Sequence, residues 1–345
     1  MKPLPAESEL LRRFERLFAT RRRDVKVGVG DDAAVLAAPP SLAISTDALV
    51  ESEDFTSGTD PYLVGRKALN VNLSDLAAMG ATPLHALLTL GLPRQTPVEW
   101  LDGFLDGFRA AAREQAVAIV GGDLSASLER FASVTVLGRV PDAGPLRRAG
   151  GREGDELWVS GTLGAAAAGL ELVLGGYRRD RAGKVTAPRG SRVSAARRDE
   201  TARLLRHLLD PRPMVDLGRA LAEGGIASAA IDLSDGLARD LHRLCRASGT
   251  GATLEGESLP VDSALPTLPL LRSDPLDLAL FGGEDYGLLF TVPPARLGAM
   301  RKFATRFAVR RIGRLEAATG VFLARGGRLE PLPDRGYDHF AKGAG

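Results

Sequence analysis

Short apolar runs that end on a glycine or hydroxyl residue followed at once by aspartate recur along this 345-residue chain. Any fold it adopts must therefore accommodate carboxylates at the margins of buried-looking segments. Gly30-Asp31-Asp32 sits in a glycine turn within VGVGDDAAVL, Ser45-Thr46-Asp47 ends the run that begins at Leu42, and Gly121-Gly122-Asp123 follows Ala118 to Val120. Ile231-Asp232-Leu233-Ser234-Asp235-Gly236 and Phe281-Gly282-Gly283-Glu284-Asp285-Tyr286 repeat the arrangement in the second half. Asn72-Leu73-Ser74-Asp75 differs, because Asp75 lies inside an apolar helical pattern, where a carboxylate is costly unless a cation or hydrogen-bond donors compensate it. Each motif alone has a plain alternative: an exposed turn for Asp31-Asp32, the N-cap of a second helix for Asp75, the cap of the following helix for Ser234 or Asp235. As a set they form an oxygen-only donor group, which suits Mg²⁺, a hard ion that keeps several waters and bridges carboxylates to substrate phosphates.

Periodicity predicts strands at 42–45, 85–92, 118–120 and 132–140 and helices at 61–79 and 98–115, with Pro61 suited to a first turn and Gly80 to a stop. The glycine-rich, charged stretch 147–154 before the apolar run 157–159 sets a domain boundary near residue 150, giving domains 1–150 and 151–345. Beyond it, 161–174 reads as a packed helix and 175–198 as a mobile surface insertion, followed by helices at 199–209, 214–223 and 236–248 and strands at 229–233, 288–292 and 321–324. Strands and helices interleave in both halves, so the fold class is α/β with mixed sheets in two domains. Lys67 on the 61–79 helix reads as a solvated lysine, with contact to a phosphate as the alternative.

Several function classes are disfavoured. A formal net charge of +2 offers no overall field for nucleic acid or an anionic membrane. One cysteine, Cys245, allows neither an internal disulfide nor a thiolate cluster and fits a cytoplasmic protein, while the four histidines lack zinc-site spacing. The N-terminal segment lacks the apolar centre of a signal peptide, and no window is apolar enough to suggest a membrane span. Gly28-Val29-Gly30 resembles a dinucleotide fingerprint, but Asp31 and Asp32 would face the pyrophosphate and Pro39-Pro40 interrupts the required helix. No G-x-x-x-x-G-K-[ST] loop and no G-x-S-x-G turn occur, so bound phosphates would rely on metal, glycine amides and isolated bases such as Arg148.

The segments GDDAAVL, STDALV, KALNVNLSDLAAMGA, IVGGD, IDLSDGLARD, ALFGGEDYGLLF and GYDHF resemble, in this order and over nearly the whole chain, the thiamine-monophosphate kinase family. That family belongs to the superfamily of aminoimidazole ribonucleotide synthetase. The resemblance implies two α/β domains, with the N-terminal domains of two subunits pairing into a β-barrel, hence a homodimer. It implies transfer of the γ-phosphoryl of ATP to thiamine phosphate, assisted by several Mg²⁺ ions. Metal ligands carried over by the resemblance are Asp32, Ser45, Thr46, Asp47, Asp75, Asp123, Asp232 and Asp235, with Asp32, Asp75 and Asp232 the catalytic group through metal positioning. Nucleotide contacts fall on Gly122, Asp123, Arg148 and Ser234, and thiamine-site residues on Glu284 and Tyr337. Asp54 stands where family members commonly carry a substrate-associated histidine before phenylalanine.

Such chemistry asks little covalent work of the protein. The acceptor is an ionised phosphate oxygen, so no protein general base is expected, and alignment and charge neutralisation supply most of the acceleration. Competing readings are another ATP-using synthetase of the same superfamily and a nucleotide-binding module without turnover.

Overall fold

The computed structural model of the protein describes residues 7–29, 34–37, 39–190 and 194–338. The chain forms two compact units, the first from Met1–Leu76, Ala81–Val140 and Arg179–Lys184, the second from Ala77–Gly80, Pro141–Arg178 and Val185–Gly345.

The first unit opens with helix α1 (Glu7–Phe18) and a small ladder of β1 (Val25–Val27) with β2 (Val35–Leu36). It continues with β3 (Leu42–Val50), α2 (Pro61–Ala78), β4 (Thr82–Leu92), α3 (Val98–Glu114), β5 (Ala118–Ala126) and β6 (Phe131–Arg139). Among the described residues these strands form a four-stranded sheet in the order β3-β6-β4-β5, parallel only between β4 and β5. Strict alternation along β6 buries Ala132, Val134 and Val136 and leaves Ser133, Thr135 and Leu137 half-buried, the two-residue period of a sheet with one covered face. Two strands run longer than periodicity suggested: Ser45-Thr46-Asp47 lies in mid-strand, and Gly121-Gly122-Asp123 continues β5 after an irregularity at Val120. Main-chain pairing carried both past the point where their apolar character fades.

Helix α2 is buried on nearly every side, which explains its lack of a polar stripe. Lys67 is not solvated, as its position on a helix suggested, but 2% exposed, with Nζ donating to the Asp54 carbonyl at 3.2 Å. Arg66 makes a two-pronged pair with Glu114 of α3, both contacts at 2.8 Å. The two helices touch backbone to backbone: a Cβ on Gly65 would lie 2.0 Å from the Phe104 carbonyl oxygen, and one on Gly107 1.9 Å from that of Tyr62. Gly107→Ala must push α2 and α3 apart and is expected to cost about 1–3 kcal/mol in denaturant unfolding; an unchanged midpoint would contradict this close approach.

Residues 22–24 are tied to the start of β4. Arg22 grips both Asp24 oxygens, at 3.0 and 2.7 Å, and donates to the Leu84 and Ala116 carbonyls at 2.9 Å each. His85 is 2% exposed and its Nε2 lies 3.1 Å from Asp24. Hydrogen bonding from Arg22 holds the Asp24 carboxyl below the usual range, and burial holds the His85 ring below its ordinary 6.5 against the pull of Asp24. Both folded values are depressed, so both contributions are complete at neutral pH and fade on acidification, that of His85 first, below pH 6.5. Amide protection of this segment, corrected for intrinsic exchange, is therefore expected to fall between about pH 7 and pH 5, and Asp24→Asn to cost about 1–3 kcal/mol; pH-independent protection would refute the linkage.

The second unit contains β7 (Glu156–Ser160), α4 (Ala165–Leu174), the two-stranded ribbon β8 (Arg178–Arg179) and β9 (Val185–Thr186), then α5 (Ala195–Leu209), α6 (Val215–Glu223), β10 (Ala229–Asp232) and α7 (Leu237–Ser248). It ends with β11 (Gly251–Glu255), α8 (Pro275–Phe281), β12 (Leu288–Val292), α9 (Leu297–Ala304), β13 (Val309–Glu316), β14 (Val321–Arg325) and β15 (Arg328–Pro331). Among the described residues the sheet order is β10-β12-β7-β13-β11-β14-β15. Leu157, Val159, Ile231, Leu289, Ile312 and Leu315 from its strands pack with Leu241, Leu244 and Cys245 of α7 in one core. Residues 175–198, expected as a mobile insertion, carry the β8–β9 ribbon and the first turn of α5, while 191–193 lie outside the described residues. Strand β13 was not anticipated because three arginines interrupt its apolar pattern; Arg311 is paired with Glu156 at 3.1 Å and Glu255 at 2.7 Å.

Candidate functional site

In the first unit, Ser45 and Asp47 share a register face with Val136 and Val134, the buried face of the sheet, and α2 runs over them. The Ser45 hydroxyl donates to Asp75 Oδ2 at 2.5 Å, and the Asp47 N–H donates to Asn72 Oδ1 at 2.8 Å. Ser45, Asp47 and Asp75 thus come together at one strand–helix corner. Asp75 lies within an unbroken α2 and caps no second helix. Thr46 points to the opposite face, where its hydroxyl donates to the Val134 carbonyl at 3.1 Å and accepts from Thr135 at 3.1 Å. Its side chain is therefore spent away from the corner. Asp123 is exposed and shares a row with Thr89 and Ser133, one step from the Asp47 row and three strands across, roughly 14 Å away. Gly122 precedes it in the Leu88 row, exposed, with φ 153°. Asp54 does not reach outward: its carboxylate accepts the Val50 N–H at 2.7 Å and closes the turn after β3. Asp32, with Asp31, lies outside the described residues.

In the second unit, Asp232 ends β10 and is 5% exposed. The loop after it is stitched to two other segments by main-chain hydrogen bonds: Tyr286 N–H to the Leu233 carbonyl at 2.8 Å, Glu284 N–H to Ser234 at 2.8 Å and Tyr337 N–H to Asp235 at 2.9 Å. Asp232, Ser234, Asp235, Glu284 and Tyr337 therefore meet at the N-terminal end of α7. Arg239 holds the last of these in place by donating to the Tyr337 carbonyl. Arg148 does not join them: its carbonyl accepts from Ser248, at the far end of α7, at 2.9 Å. Neither Ser234 nor Asp235 caps α7, whose N-cap is Gly236. His339 and Phe340 of the closing motif lie outside the described residues.

Glu284 and Tyr286 both adopt left-handed backbone, φ 66° and 47°, a strained choice for side chains of this size. Asp285 between them supplies the restraint, accepting the Gly164 and Ala166 N–H groups at the start of α4 at 2.8 and 3.3 Å. Burial pushes its carboxyl up to about 7, against the pull of those two donors.

Among the described residues no three acidic, histidine or cysteine side chains enclose an ion. The donors gathered around Asp75 are oxygens only, which is the chemistry Mg²⁺ accepts, and an ion that retains water and takes phosphate oxygens needs only one or two carboxylates from the protein. The residues present thus fit such an ion.

Profiles for the N-terminal and C-terminal domains of AIR synthase related protein match residues 30–140 and 152–325. A thiamine-monophosphate kinase of Salmonella typhimurium is 36% identical over 340 residues, covering 97% of this chain and 98% of that protein. The chain belongs to the thiamine-monophosphate kinase family. The crystal structure of thiamine-monophosphate kinase from Stenotrophomonas maltophilia K279a is similar with a TM-score of 0.77 at 36% identity, covering 91% of this chain and 94% of that one. The structure of AaThiL complexed with AMPPCP and TMP has a TM-score of 0.74 at 32% identity, covering 97% of each chain. The two-domain mixed α/β fold of aminoimidazole ribonucleotide synthetase-like proteins is thereby established for this chain.

Family motifs single out Glu284 but give Asp285, Asp240 and Arg243 no role, and their roles emerge only from contacts. For Asp285 the signal was present, since a second acid directly before the apolar run 288–292 demands a compensating partner. Because its folded value lies above the ordinary 3.8, folding is favoured by its protonation, a contribution complete below pH 3.8 and lost as pH rises through about 7. Asp285→Asn keeps the acceptor and removes the titration, so the melting temperature of the variant relative to wild type is expected to climb between about pH 4 and pH 8; a difference that stays flat would show that the carboxyl is not desolvated.

Proposed function

We propose that this protein transfers the γ-phosphoryl group of ATP to thiamine phosphate, giving thiamine diphosphate and ADP, as a cytoplasmic homodimer. The observation that carries the reading is the match, over 97% of the chain, to a solved relative complexed with AMPPCP and TMP, together with the oxygen-only corner where Ser45 meets Asp75 at 2.5 Å. Bound Mg²⁺ would supply charge neutralisation between the two polyanionic substrates and align them in line.

The chain's own groups position. Asp75, held by the Ser45 hydroxyl, and Asp47, whose backbone is fixed by Asn72, present carboxylates from elements that cannot shift independently. Asp32, Asp123, Asp232 and Asp235 complete the proposed metal set, with Gly122, Arg148 and Ser234 on the nucleotide. Glu284 and Tyr337 take the thiamine moiety; with Asp54 occupied by the Val50 N–H, substrate contact at that position is reduced to its neighbourhood. No protein base is required, because the attacking phosphate oxygen is already ionised. Pairing of two copies through the outer face of the four-stranded sheet into a β-barrel is supported by Ile44, 64% exposed on β3, and the half-buried Leu87 and Leu137 on the same face.

Incubation of purified protein with ATP, Mg²⁺ and thiamine phosphate is expected to yield thiamine diphosphate, with thiamine itself not accepted. ATP binding without product would overturn the kinase reading in favour of a binding module. Asp75→Asn is expected to lower turnover at least about tenfold and to raise half-saturating Mg²⁺; near-normal turnover at low Mg²⁺ would remove Asp75 from the metal set.

A further inference from the structure

Asp235 is gripped at every polar atom of its main chain and at one side-chain oxygen. Its N–H donates to Asp240 at 3.1 Å, its carbonyl accepts the Tyr337 N–H at 2.9 Å, and its Oδ2 lies 2.6 Å from Arg243 Nη2. Arg243 Nη1 in turn donates to the other oxygen of Asp240 at 2.9 Å. The three residues close a ring: Asp235 N–H to Asp240, Asp240 to Arg243, Arg243 back to the Asp235 carboxylate. Asp240 is fully buried, whereas Arg243 is one-third exposed.

A buried acid in the first turn of α7 is an expensive way to hold a helix start that Gly236 already occupies. What the ring adds is directional. Asp240 fixes the Asp235 backbone, and the planar guanidinium, reaching both carboxylates at once, fixes the Asp235 side chain while leaving its second oxygen outside the ring.

We infer that Arg243 and Asp240 are positioning residues for Asp235, setting its carboxylate for Mg²⁺-dependent nucleotide binding. This rests on the function proposed above. Carboxylates that contact a metal are held by outer hydrogen-bonding partners whose loss typically costs about 10–100-fold in metal affinity or activity. Lysine cannot replace the fork, since one ammonium reaches one acid well.

The test is calorimetric titration of AMPPCP at a series of Mg²⁺ concentrations into wild-type protein, Arg243→Ala and Arg243→Lys, with thermal melts alongside. Arg243→Ala is expected to raise the Mg²⁺ concentration for half-maximal AMPPCP affinity about tenfold and to raise KM for ATP while that for thiamine phosphate stays put, and to lower the melting temperature because buried Asp240 loses a donor. Arg243→Lys should fall between the two. Wild-type Mg²⁺ dependence in Arg243→Ala overturns the inference, and so does wild-type dependence in Arg243→Lys should the alanine variant fail to fold. Absence of AMPPCP binding by the wild type removes the functional reading and this inference with it, whereas equal binding by wild type and Arg243→Ala removes the inference alone.

Discussion

Taking a carboxylate out of water costs several kcal/mol unless donors replace the lost hydration, and both units are organised by the ways in which that cost is met. Asp75 is met by a serine hydroxyl from a neighbouring strand, Asp240 by an arginine and a backbone N–H, Asp285 by two N–H groups at the start of a helix, and Asp262 by Arg203 with Thr162. Asp155, 3% exposed, takes the Ser228 hydroxyl at 2.5 Å and so fastens the segment entering β7 to the strand pair β10–β12. Asp240 takes its partners from its own helix and the turn before it; in the other cases the compensating group comes from a different segment, so an acid that would be a liability in isolation becomes a cross-link.

The same accounting separates two kinds of acid. Asp262 and Asp285 have both oxygens bound by an arginine or by backbone N–H groups, Asp54 and Asp155 have one oxygen bound by a backbone N–H, joined at Asp155 by the Ser228 hydroxyl, and all four act as structural fasteners. Exposed Asp47 and Asp123, and Asp75 with its Ser45 hydroxyl contact, lie where strand pairing or helix packing holds the backbone still. Rigid main chain beneath a carboxylate is what phosphoryl transfer asks of a protein, because the reaction gains most from alignment. The left-handed pair at Glu284 and Tyr286 belongs to this economy: the strain is tolerated because Asp285 and the bonds to Leu233 and Ser234 over-determine the turn.

Much of the architecture could be read before any coordinates. Pro61 and Gly80 bracketed α2, with Gly80 at φ 66° where the helix stops, and the apolar runs became β4, β6, β10 and β12. Helix α1 was overlooked although residues 7–18 carry an amphipathic pattern, and β11 and β13 escaped because glycine, threonine and arginine mask their alternation. Arg311 illustrates why: its charge looks incompatible with a central strand until Glu156 and Glu255 stand beside it. Lys67 departs from expectation for the mirror-image reason, since a helix enclosed on nearly every side hides a lysine that sequence alone would place in water.

The sequence by itself determined the strongly periodic helices and apolar strands, the mixed α/β class and the family, because periodicity, turn chemistry and motif order are local properties of the chain. Tertiary structure alone decided which acids serve as fasteners, that Thr46 turns away from Ser45 and Asp47, and that Asp240 and Arg243 brace Asp235. Those outcomes depend on strand register and on donors from distant segments, and neither is encoded in the spacing around the acid itself.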